Sequence, residues 1–181
     1  PFTLNADISG EHRFGGFDHA GEFTGLAQEA SLQAHLSFDG TLNHAVTSVA
    51  DVELLYQEAH LLRIGSLDAV VGPLRPAKGA QLQELDFDGS ANGILLPENT
   101  NSPFGNFVES LSLKATVRGP LPAKNVRQAL PIWRDAGGEA IVHSADIAWG
   151  PINLHAKGGA KLDAYLRPEG QFGTRISGLS E

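Results

Sequence analysis

The chain has 181 residues and a formal charge of −8 at neutral pH. Its Lys and Arg are few and dispersed, which excludes a phosphate-binding surface and nucleic acid as the expected partner. Cysteine is absent, which excludes disulfides, thiolate nucleophiles and Cys-based zinc or iron–sulfur centres together. With 21 glycines, 10 prolines and a charged fraction of 19%, the composition predicts many turns and few long helices.

The expected fold is mainly β: an extended antiparallel meander, curled into a groove or open, with one short α-helix at about 124–136. One elongated domain spans 1–181, in which 1–106 gives N-terminal strands and loops. Residues 107–181 give a strand, the helix and a four-strand meander. Phe2–Ser9 alternates Phe2, Leu4, Ala6 and Ile8 with polar residues, a strand with one buried face. The Gly-rich stretch from Ser9 to Glu22 reads as loop or short irregular strands. Glu29–Phe38 is a strand with Leu32, Ala34, Leu36 and Phe38 inward, closed by an Asp39-Gly40 turn signal. Ser48–Arg63 fits either helix or strand, and His60–Val71 is read as strand.

A unit recurs in the middle of the chain. Ser66–Lys78 matches Ser112–Lys124 closely, and a Gly-Pro-apolar step returns at Gly150-Pro151-Ile152. Each copy reads as a strand ending in a Gly-Pro bend, so similar modules extend one sheet. Leu82–Leu96 gives two short strands around Asp88-Gly89, and 97–107 is the most loop-like stretch. Lys124–Ala136 places Val126, Ala129, Leu130 and Trp133 on one helical face. It stops at Gly137-Gly138, with Pro131 kinking it or starting a second helix.

Glu139 to Gly178 reads as four strands: Glu139–Trp149, Ile152–Lys157, Lys161–Leu166 and Phe172–Ser177. A two-residue connection at Gly150-Pro151 sets Trp149 against Ile152, Ile147 against Leu154 and Ala145 against Ala156. A turn at 158–160 then brings Leu166, Ala164 and Leu162 beside Ile152, Leu154 and Ala156, with Phe172, Thr174 and Ile176 next. This register gathers one apolar face, and slipping any pair by one residue exposes it. The expected ligand-binding residues lie there: Trp149, Ile152, Leu154, Leu162, Leu166 and Ile176. The opposite face collects Asp146, His155, Asp163 and Arg175, which read as a solvated cross-strand charge ladder.

From Leu111 onward the residues resemble an uncharacterised bacterial family, the domain of unknown function 2125. The resemblance rests on the strand Leu111–Val117, the helix ending Trp133-Arg134-Asp135-Ala136-Gly137-Gly138, then Trp149-Gly150-Pro151, Leu162-Asp163 and Arg167-Pro168-Glu169-Gly170. It covers about 107–178 and, more thinly, 45–106. It implies a periplasmic location, anchored to the inner membrane by an N-terminal segment not present here, and no established activity or catalytic residue. At fold level the chain is also similar to large envelope proteins whose long antiparallel sheets curl into a lipid-holding groove. The start at Pro1, without an initiator Met, fits a chain processed or cut from something longer. No stretch reaches the roughly 18 apolar residues of a membrane helix.

No catalytic motif accompanies this pattern. The seven histidines include His12, His19, His35, His44, His143 and His155, none at metal-ligand spacing, and no metal or cofactor is expected. By parity His143 falls on the apolar face, where a hydrogen-bonded histidine is expected rather than a ligand. Trp133 and Trp149 read as a helix dock and a strand end, with ligand stacking as the competing reading. The leading expectation is therefore a non-enzymatic envelope domain whose apolar sheet face holds a lipid or another amphiphile. The alternative is an interaction module that pairs with another envelope protein through that face or a free strand edge. A hydrolase with a site assembled only by the fold comes third.

Overall fold

A computed structural model describes residues 2–17, 22–38, 41–56, 59–76, 83–97, 100–120 and 126–178. Nine strands form one open antiparallel sheet in sequence order. They are β1 (Phe2–Phe17), β2 (Glu22–Leu36), β3 (Leu42–Tyr56), β4 (Ala59–Pro76), β5 (Gln83–Leu95), β6 (Phe107–Gly119), β7 (Glu139–Trp149), β8 (Ile152–Leu162) and β9 (Pro168–Ser177). Among the described residues one helix, α1 (Val126–Asp135), stands between β6 and β7 and contains Pro131. The expected mainly-β meander with one short helix is the observed fold.

The strands are longer than their sequence punctuation suggests. Ser9 to Phe17, expected as loop or short irregular strands, belongs to β1; a register shift between Ser9 and His12 absorbs the irregularity. Asp88-Gly89 does not divide 82–96 but lies inside β5. Gly72-Pro73 does not end its strand either: the pair, joined by a cis peptide, forms a bulge between Val71 and Leu74, and β4 continues to Pro76. A Cβ at Gly72 would sit 2.6 Å from the Asn43 carbonyl oxygen, so backbone proximity is what selects glycine there. Gly119 does end β6, and Gly150-Pro151 does form the β7–β8 hairpin. The Asp39-Gly40 signal lies outside the described residues, although Ser37 N–H donates to Thr41 O across that hairpin at 2.9 Å.

The C-terminal meander has three strands rather than four. Trp149–Ile152, Ile147–Leu154 and Ala145–Ala156 pair as expected. Gly158-Gly159, expected as a turn, stays within β8, because a Cβ at Gly158 would collide with the Gln171 carbonyl of β9. The reversal comes at 163–167 instead. The Asp163 carboxylate accepts N–H bonds from Tyr165 (2.8 Å) and Arg167 (2.9 Å), and Leu166 takes φ 61°. Leu162 therefore faces Pro168, and Leu154 faces Ile176 directly.

Directly opposed residues share a face, so the registers define long rows. Ala30, Val49, Leu67, Ala91, Leu111, Ile147, Leu154 and Ile176 form one unbroken apolar row across β2–β9. The neighbouring row is polar, with Ser48, Asp68, Ser90, Ser112, Asp146 and His155 in successive strands. The core lies towards one end of the strands, where Ala27, Val52, Ile64, Ala91, Ile94 and Val108 are buried and Val49, Leu67, Ile147 and Trp149 pack on them. Val49 and Val52 are three residues apart, as are Ala91 and Ile94, so strict alternation would separate them. Between them lie Asp51 (φ 49°) and Gly93 (φ 64°). These left-handed residues break the two-residue period and return the apolar residues to one side.

Helix α1 closes the other end rather than covering the sheet. The Trp133 indole lies against Gly119 and Gly138, where any Cβ would strike the ring. Arg134 Nη1 donates to Ala164 O in the β8–β9 turn at 2.8 Å. Ile132 remains exposed.

Candidate functional site

The apolar row and the alternate residues beside it make one sheet face. Leu111 and Ile176 lie in the row itself; Leu32 and Phe172 lie two and four positions further along β2 and β9, and Leu4 of β1 stands opposite Ala34 on the same face. With Phe2 at the far end of β1, these six side chains keep between 38% and 60% of their surface exposed. Isolated exposed apolar residues are ordinary, whereas a set sharing one face is not. Phe38, just beyond β2, meets Phe2 edge-on at 6.3 Å.

The six residues singled out from sequence divide on this face. Leu154 and Ile176 lie opposite one another in the apolar row. Ile152 shares their parity but is only 8% exposed, so it belongs to the packed end of the sheet. Trp149 packs on the core, donates from Nε1 to Gly105 O at 3.2 Å and meets Phe104 edge-on at 5.7 Å. That contact holds down the β5–β6 loop, while Gly150 N–H in the β7–β8 turn donates to Glu109 Oε2 of β6 at 2.9 Å. Leu162 ends β8 and Leu166 lies in the turn, so the expected Leu166–Ile152 contact is replaced. Leu4, Leu32, Leu111 and Phe172, exposed members of this face, are not among the ligand-binding residues expected from the sequence. The alternation of Phe2, Leu4 and Ala6 and of Leu32, Ala34 and Leu36 carried the signal for two of them.

The opposite face carries the charged pairs, although exposed Val46 and Val70 lie on it as well. Asp146 Oδ1 meets His155 Nδ1 at 2.7 Å, with Arg175 opposite His155 in register. Asp163 departs from this ladder, because it is bonded to Arg167 in the turn. The Arg167 guanidinium and backbone N–H hold its carboxyl below the ordinary value of 3.8. Lys114 pairs with Asp88 at 3.0 Å, and Arg118 with Glu84 at 2.8 Å. His35 and His44 stack at 4.2 Å.

A deeper polar chain crosses β4 to β7 on this face. Arg75 Nη2 donates to Asp86 Oδ2 at 2.6 Å, and Thr116 Oγ1 donates to Asp86 Oδ1 at 2.8 Å. Thr116 Oγ1 lies 2.8 Å from His143 Nε2. A hydroxyl has one proton; given to Asp86, it leaves Thr116 only lone pairs for His143, which must then carry hydrogen on Nε2. His143 was expected on the apolar face. The β7 bulge between Val142 and Ala145 instead puts it beside Thr116, exposed and lining an open pocket of about 320 Å³. Among the described residues no group of three His, Asp or Glu is disposed to hold a metal ion, and no helix is long and apolar enough to cross a membrane.

A family model described as an uncharacterised protein conserved in bacteria (DUF2125) matches residues 1–181. No curated protein and no solved structure matches the chain.

Proposed function

The chain belongs to the DUF2125 family over its full 181 residues, and from that premise we propose that it is a non-enzymatic domain of the bacterial cell envelope that holds a lipid or another amphiphile on its apolar sheet face. The observation that carries this reading is the apolar row crossing β2–β9, flanked on the same face by exposed Leu32, Leu4 and Phe172. Acyl chains gain about 25 cal/mol for each Å² of apolar surface removed from water. A broad, continuous face collects that gain without specific polar contacts. A periplasmic location is part of the same proposal.

The polar face supports a non-enzymatic reading. Thr116 gives its proton to Asp86 and accepts from His143, the reverse of a hydroxyl activated by a histidine base. The chain from Arg75 to His143 is then structural, tying four strands together.

The test is native mass spectrometry of the protein purified gently from its own membranes, beside lipid-transfer measurements with vesicles of bacterial phospholipid. A retained lipid-sized mass is expected. Leu32→Gln with Leu111→Gln should reduce its occupancy roughly tenfold, because both lie on the face, while thermal stability changes little. A protein that retains no lipid and accepts no acyl chain from vesicles would overturn the reading.

A further inference from the structure

We propose that β9 pairs antiparallel with β9 of a second copy of this chain, joining two sheets into one continuous sheet. Among the described residues no strand lies against the outer side of β9, and all ten of its residues are exposed. Its one proline stands at the first position, so every later residue has a backbone N–H, and Gly170 and Gly173 keep the edge low. The side chains identify the occupant. A twofold axis perpendicular to the sheet pairs residues whose numbers have a constant sum. With the axis through Phe172, Glu169 meets Arg175 of the partner, and Arg175 meets Glu169 of the partner. Phe172 then faces its own copy on the apolar side.

Displacing the axis by one residue removes this match. Centred on Gln171, Glu169 faces Gly173; centred on Gly173, it faces Ser177 and Arg175 faces Gln171. Only the register through Phe172 places opposite charges at both rungs. Glu169 and Arg175 make no ion pair within the described residues, so both are available. The other edge breaks such a pattern: on β1, Asp7 and Arg13 have the same six-residue spacing, but the register shift between Ser9 and His12 falls between them. Because this axis keeps each face on its own side, the two apolar faces become one surface. The pairing stands independently of lipid binding, since it rests on the strand edge.

Sedimentation equilibrium of the lipid-free chain tests it, with circular dichroism to verify folding. The wild type should dimerise reversibly. Glu169→Arg alone and Arg175→Glu alone each set like charges opposite at both rungs and should weaken association by roughly tenfold or more. An equimolar mixture of the two variants should recover wild-type association, because each then meets its opposite in the other. The double variant E169R/R175E should behave like the wild type. A monomeric wild type, a dimer indifferent to the single changes, or a mixture that fails to recover would each overturn the proposal.

Discussion

Thr116 is the buried polar side chain on which four strands converge: its hydroxyl lies between Asp86 of β5 and His143 of β7, with Arg75 of β4 beyond. Replacing it by valine keeps the shape but leaves Asp86 and His143 short of a partner in a half-buried place. Thr116→Val should cost about 1–3 kcal/mol, read from urea unfolding. At the β8–β9 turn, Asp163 behaves differently with pH. Its folded carboxyl titrates below 3.8 because Arg167 and two backbone N–H groups favour the anion. A depressed carboxyl contributes fully above the unfolded value and loses that contribution as pH falls through the folded one. Asp163 should therefore titrate below pH 3.8 in a carboxyl-detected NMR experiment. The turn signals of Tyr165 and Arg167 should change in the same interval, and Asp163→Asn should abolish the transition.

The elements carry the regularity and also its breaks. Gly93 at φ 64° lies between buried Ala91 and Ile94, where the apolar residues must change parity to stay on one side. An L-residue with a Cβ in that region costs about 1–2 kcal/mol, so Gly93→Ala should lower the urea midpoint accordingly. Such breaks also mark the limit of what the sequence discloses. Period-two alternation is local and strong, so the existence of strands, the Trp149–Ile152 hairpin and the apolar face of 145–156 were all readable. Glycine is ambiguous, because it serves a reversal and a close backbone approach equally well. Gly158-Gly159 was taken for the first and performs the second, against Gln171, which moved the turn to Asp163 and carried Leu162 and Leu166 off the expected face. A bulge is invisible to parity, and His143 changed faces through one. The candidate site was legible at Leu154 and Ile176. Phe172 was legible as a member of the apolar face, but the exposure of Leu111 and Phe172 was not, because it depends on what covers them, a property of the assembled sheet alone.

At the scale of the whole molecule every strand pairs only with its neighbours in sequence. Among the described residues no strand pairs with one distant in the sequence. Stability should then fall from the middle of the sheet to its edges, as in nearest-neighbour arrays. Hydrogen exchange followed by mass spectrometry should show the slowest amides in β3–β6, which hold most of the core, and progressively faster ones through β8 to β9. Uniform protection across all nine strands would contradict this ordering.

The same neighbour-only connectivity has an evolutionary consequence. Gaining or losing one hairpin at an edge leaves every remaining register intact, because no inner strand depends on the outermost pair. Width can thus grow at little cost: an added hairpin leaves the core as it is, whereas losing β1–β2 would take Ala27 out of it, and the span of surface presented to a partner can grow by increments of two strands.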